Sequence, residues 1–177
     1  MKPIRNKTWI ISDTHFGHRK IIEMCNRPFQ NLEEMEKTII KNWNNRIQDG
    51  HDVIIAGDFS LSTKERCEQI CRQLHGNKLL IKGNHDSHSN QYYRDCGFDE
   101  VSKYPIILEE FWIVSHEPLY MDNSLPYFNI HGHIHNNPMF KSISSVNYCV
   151  SVERTDYKPV DFEVIKNKAI MEIERSD

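Results

Sequence analysis

Five times along this chain a short apolar run stops in a polar cluster of aspartate, asparagine or histidine. Residues 8–12 run into Asp13-Thr14-His15-Phe16-Gly17-His18, and residues 52–56 into Gly57-Asp58. The run 79–82 meets Gly83-Asn84-His85-Asp86, residues 111–115 deliver His116, and residues 127–130 deliver His131-Gly132-His133-Ile134-His135. Runs this short, rich in β-branched residues and without strict alternation, read as strands buried on both faces. Where such strands lie parallel, their carboxyl ends gather at one edge of the sheet, and ligands bind there. Any single cluster is equally well an ordinary turn or a capped helix start. Five in succession, each at the end of an apolar run, are not explained that way.

The sequence between the runs supplies connections. Helix-forming sequence begins near Arg19, and Leu32, Met35, Ile39, Ile40, Trp43 and Ile47 recur at helical spacing over 32–47, with acidic residues at the start and Gly50 after the end. Ser62-Thr63-Lys64-Glu65 has the form of a capping box opening a helix to about residue 75. Three strands, each followed by helical sequence, make a parallel βαβαβ half. Beyond Asp86 the order changes: a short helix over 89–95, a hairpin of 104–108 with 111–115, and a long polar passage, 117–126, that could border the site. A strand is expected within 145–152. The apolar and charged residues of 161–165 and 169–173 carry no decisive period.

Composition sets outer bounds. A chain of 177 residues fits one domain, 1–177, large enough to bury a core without disulfides. Lys plus Arg number 22 against 25 Asp plus Glu, net −3, so no extended nucleic-acid surface is expected. The five cysteines lack C-x-x-C pairing and suit reduced thiols in a cytoplasmic protein rather than a disulfide framework or zinc ribbon. No run has the length of a membrane span, and no signal peptide is visible. The pattern does not encode an oligomeric state. Ten histidines are what stand out, and His15, His85, His116, His131, His133 and His135 fall in short polar clusters after apolar runs.

Taken together the clusters offer Asp13, His15, Asp58, Asn84, His116, His133 and His135 as oxygen and nitrogen donors. Seven are too many for one tetrahedral zinc and suit two divalent cations, manganese first, with iron, nickel, zinc or magnesium fitting the same donors. A carboxylate between the cations, which Asp58 could supply, would hold them about 3.5–4 Å apart with an activated hydroxide between, an arrangement that hydrolyses phosphate esters.

The ordered blocks Asp13-Thr14-His15, Gly57-Asp58, Gly83-Asn84-His85-Asp86, His116 and Gly132-His133-Ile134-His135 resemble those of the calcineurin-like metallophosphoesterases. The resemblance covers nearly the whole chain. It implies a four-layer αββα sandwich, two mixed sheets flanked by helices. It implies further that Asp13, His15 and His135 hold one metal, Asn84, His116 and His133 the other, that Asp58 bridges them, and that His85 protonates the leaving oxygen. Protein phosphatases of this family continue Gly-Asp with two residues and then Asp-Arg-Gly; here Phe59-Ser60-Leu61-Ser62 follows, and Leu61 cannot orient a histidine. The opening Asp13-x-His15-x-x-His18 is similar to small bacterial and phage members. The expected function is hydrolysis of a phosphate ester, small molecule or nucleotide, with phosphodiesters before monoesters. A phosphomonoesterase of the same fold, or a metal-binding scaffold without activity, is the alternative. His18 and Arg27 are candidate substrate contacts, and Asp86 either orients His85 or caps its turn.

Overall fold

The computed structural model describes residues 7–175. In chain order its elements are β1 (Thr8–Ile11), α1 (Ile21–Met24), α2 (Leu32–Asn44), β2 (Asp52–Ala56), α3 (Lys64–Gln73), β3 (Asn77–Ile81), α4 (Asn90–Cys96) and β4 (Glu100–Ser102). There follow β5 (Ile106–Leu108), β6 (Trp112–Val114), β7 (Phe128–His131), β8 (Asn147–Cys149), β9 (Val160–Asp161) and α5 (Phe162–Glu174). The first sheet has the order β4-β3-β2-β1-β9, parallel except for β9; the second has the order β5-β6-β7-β8, parallel except for the β5–β6 hairpin. Both sheets are therefore mixed, and helices flank them as an α/β sandwich.

Strands β1, β2 and β3 of the first sheet are apolar on both faces because both faces are covered. Trp9, Ile11, Val53, Ile55 and Leu80 point to a core shared with Met35, Ile39 and Trp43 of α2, Cys67, Ile70 and Cys71 of α3, and Tyr93 and Cys96 of α4. Ile10, Ile54, Ala56, Leu79 and Ile81 point the other way, onto Ile106, Leu108, Val114, Phe128, Ile130 and Tyr148 of the second sheet. All five cysteines are buried free thiols that pack as small apolar groups.

Helix boundaries follow from caps. Asn31 accepts a hydrogen bond from the Glu34 amide at the start of α2. The α3 cap is Thr63, which accepts from Arg66 N, one residue later than the capping-box reading places it. The C-terminal stretch without a decisive period is α5, with Phe162, Ile165 and Ala169 buried in the inter-sheet core and Val164, Ile170 and Met171 exposed. It packs against β1, β8 and β9, across both sheets. β4, missing from the sequence reading, has three residues of which only Val101 is buried, too little for a pattern to register. No described helix is long and apolar enough to cross a membrane.

The two sheets meet beyond the carboxyl ends of their strands. Past β1, Ser12 pairs in parallel with Ser151 past β8, through Ser12 N to the Val150 carbonyl at 3.2 Å and Val152 N to the Ser12 carbonyl at 3.3 Å. This seam closes the core and brings both sets of strand ends to one edge.

Candidate metal centre

At that edge the backbone turns sharply. Asp13, His15, Asp58, His133 and His135 have φ of 57°, 49°, 53°, 69° and 46°, a left-handed conformation that costs a residue with a Cβ about 1 kcal/mol each. Left-handed residues of this kind cluster where a site needs side chains aimed against the run of the strand. Gly83, by contrast, has no positive φ. A Cβ there would lie 2.2 Å from Asp58 Oδ1, so the glycine is required because two loops touch, not because the turn is strained.

The loops bring all seven donor residues together. Asp58 Oδ2 lies 3.5 Å from His15 Nε2 and 3.4 Å from His116 Nε2. On one side, His116 Nε2, His133 Nδ1 and Asn84 Oδ1 stand 2.9–3.2 Å from one another. On the other, Asp13, His15 and His135 present donor atoms within 4.8 Å, with His135 Nε2 3.9 Å from Asp13 Oδ1. Asp13 Oδ2 is held by the Ser12 and Ser151 hydroxyls at 2.6 and 2.7 Å, which leaves Oδ1 towards His135.

The chemistry of these atoms fits cations. His116 Nδ1 lies 2.9 Å from the Ala56 carbonyl, an acceptor only, so one ring proton sits on Nδ1 and Nε2 is the nitrogen that faces the oxygens of Asn84 and Asp58. His15 Nε2 is buried and has no hydrogen-bond partner. Burial pushes His15 down to about 2, the neutral form that ligates. For His116 burial also opposes charge, but the Asp58 and Asp13 carboxylates outweigh it and lift the ring to about 9. Burial works against His135 in the same way, while Cys25, Glu153 and Asp13 lift it to about 10. Burial would raise Asp58; His116, the His85 amide and His15 reverse that and hold it near 2. Carboxylates that draw protons onto neighbouring imidazoles want positive charge, and a metal ion supplies it by displacing those protons.

Around these side chains stands a supporting set that sequence reading missed. Glu153 Oε1 lies 2.9 Å from His135 Nδ1, fixing that ring's proton on Nδ1 and turning Nε2 to the centre. Arg27 carries Glu153. Its Nε and Nη2 donate to Glu153 Oε1 at 2.9 and 2.7 Å, Nη2 also donates to the Asp13 carbonyl at 2.7 Å, and Nη1 donates to the Thr14 carbonyl and Met35 Sδ. All five guanidinium donors are used and the side chain is fully buried. The substrate contact expected of Arg27 is therefore corrected: it stands behind the centre, and nothing of it faces a ligand. Glu153→Gln should weaken metal affinity about 10–100-fold by chelator competition, with unchanged circular dichroism. Unchanged affinity would deny Glu153 this orienting role.

Asp86 is also resolved. Its Oδ2 accepts from the Asp58 and Gly83 amides at 2.7 and 2.9 Å and its Oδ1 from the Phe59 amide at 3.2 Å, so it ties two strand-end loops together and does not orient His85. Burial raises its carboxyl to about 6. His85 itself is solvent-exposed; its amide donates to Asp58 Oδ1 at 2.9 Å and its ring centroid lies 5.3 Å from that of His15. His18, whose ring is 6.2 Å from His85, has its pKa lowered first by burial and then by His85. Residues 117–126 do border the centre in part: Glu117 and Leu119 line a groove with Asn84 and His116, and Pro118 one with His133 and His135.

The sequence model of the calcineurin-like phosphoesterase family matches residues 7–170. The chain belongs to that family. Calcineurin-like phosphoesterases are metal-dependent hydrolases of phosphate esters, and the clustered Asp and His side chains are where this one could bind its metal. An uncharacterised protein of Methanocaldococcus jannaschii is 38% identical over 170 residues, covering 90% of this chain and 89% of that protein. A gene product of mycobacteriophage L5 is 36% identical over 84 residues, 46% of this chain and 40% of that protein. Among solved structures, a protein of unknown function from Aquifex aeolicus superposes with a TM-score of 0.69 at 22% identity, over 92% of this chain and 99% of that one, which shows that the two share a fold.

Proposed function

We propose that this phosphoesterase works with two divalent cations, manganese before iron, nickel, zinc or magnesium, and acts on phosphodiesters of nucleotide type before monoesters. Asp58 Oδ2, flanked at similar distance by His15 Nε2 and His116 Nε2, is the observation that carries the reading. Asp13, His15 and His135 would hold one cation, Asn84, His116 and His133 the other, and Asp58 would lie between. Cations held there would supply Lewis acidity to the phosphoryl oxygens and a nucleophile from water near neutral pH.

The chain's own groups do the rest. Asn84 contributes a neutral carbonyl, limiting the negative charge that an anionic phosphate must approach. His85 faces solvent beside the cluster with its backbone anchored on Asp58, where its ring can pass a proton to the departing alkoxide. His18, kept neutral by burial, is placed to accept a hydrogen bond from substrate or from His85. The diester preference is supported by Arg27, whose donors are spent inside the protein and are withheld from a dianionic monoester.

With added manganese, hydrolysis of bis-p-nitrophenyl phosphate should exceed that of p-nitrophenyl phosphate in kcat/KM. The reverse order would make the protein a monoesterase. Turnover of neither substrate with metals bound would leave a scaffold.

A further inference from the structure

Two grooves open at the centre, and only one of them is lined by lysines and carboxylates. The one beside Asn84 and His116, about 420 Å³, is lined by four ionisable side chains of both signs, Lys82, Lys103, Asp86 and Glu117. The other, about 540 Å³, begins at His133 and His135 and is otherwise lined by Met24, Cys25, Pro118, Ile134, Asn136, Asn137 and Phe140, with no lysine, arginine or carboxylate. A volume of this order takes a drug-sized ligand. Beyond the two histidines its lining carries no ionic partner, which suits an uncharged group of a substrate.

The lining says more. Met24 and Phe140 are 70% and 49% exposed, large apolar surfaces left to solvent within reach of the metal ligands. Two amides stand among them. Asn136 donates Nδ2 to the Cys25 carbonyl at 2.7 Å and keeps Oδ1; Asn137 accepts the Met139 amide on Oδ1 at 3.0 Å and keeps Nδ2. One free acceptor and one free donor beside apolar and aromatic surface match the edge and faces of a nucleobase. The wall is built in advance. Arg154 donates to the carbonyls of His135, Asn137 and Phe140 and to Ser142 Oγ, pinning the loop that carries Asn136, Asn137 and Phe140. A groove already ordered loses little on binding.

We infer that this groove seats the nucleobase of a nucleotide-type ester whose phosphate lies at the metal centre. The inference rests on the phosphodiesterase reading and names the substrate group that this side of the centre selects. Phe140 and Asn137 are then specificity-determining residues, Phe140 by stacking and Asn137 by its free amide hydrogens.

The test is equilibrium binding, independent of turnover. Manganese-loaded protein is titrated calorimetrically with the non-hydrolysable methylene phosphonates of adenosine and of ribose, which differ only in the base. The adenosine compound should bind at least about fivefold tighter, and Phe140→Ala or Asn137→Ala should bring the ratio towards one. Phe111→Ala, in a groove elsewhere on the second sheet, should leave the ratio as it is. Equal binding of both compounds, binding of neither, or a preference that survives both groove substitutions overturns the proposal. Equal binding alongside hydrolysis of bis-p-nitrophenyl phosphate would remove the subsite and leave the hydrolase standing.

Discussion

Asp58→Asn is expected to yield a folded protein that no longer retains two metals per chain and whose phosphoesterase rate falls by about three decades or more. Folding should survive because asparagine keeps an Oδ1 for the His85 amide, and the Asp58 backbone N–H still donates to Asp86. What is lost is the charge. Among the described residues, Asp58 Oδ2 is the carboxylate oxygen with a histidine nitrogen from each half of the cluster within 3.5 Å, so an amide weakens both halves together. Metal ions contribute several kcal/mol of transition-state stabilisation, and each 1.36 kcal/mol is tenfold in rate. Elemental analysis after gel filtration reads the first effect and the ester assay the second. Two metals per chain retained by the variant would contradict the bridging role.

The parts of the site legible in sequence are those where local pattern and chemistry coincide. Asp13, Asp58 and His116 each stand two residues past the end of a strand, and a parallel sheet carries strand ends to one edge whatever the details of packing. Arg27 and Glu153 were not legible in that way. They lie 126 residues apart and meet only because the Ser12–Ser151 seam brings the turn after β8 against the loop after β1. Read locally, an arginine in a loop between a short helix and a proline looks available to a phosphate; its burial is a tertiary fact. Asp86 shows the same limit at shorter range. Its neighbours suggest a role toward His85, whereas its carboxylate is consumed by three amides, two of them from the loop after β2. The fold was legible to a similar depth. Strands apolar on both faces declared themselves, the hairpin at 104–115 was visible, and α5 was not, because its apolar residues face solvent as well as the core.

His85→Ala should separate chemistry from metal binding. Among the described residues the hydrogen bond from residue 85 to the cluster is made by its backbone N–H, the ring only stacking edge-on to His15, and alanine keeps that N–H for Asp58 Oδ1. Metal content should therefore stay at the wild-type value. A positioned general acid contributes about two to four decades, so kcat toward a diester with a poor alkoxide leaving group should fall by that amount. Toward bis-p-nitrophenyl phosphate the loss should be smaller, because p-nitrophenolate departs with little help from a proton. This dependence on leaving group distinguishes proton transfer from mere phosphate binding, which would lower both substrates equally. Unchanged turnover of the poor-leaving-group diester by metal-replete His85→Ala protein would assign the departing proton to water or to His18. Because His18 lies 6.2 Å from His85 between ring centroids, the double variant His18→Ala/His85→Ala then decides between those two sources.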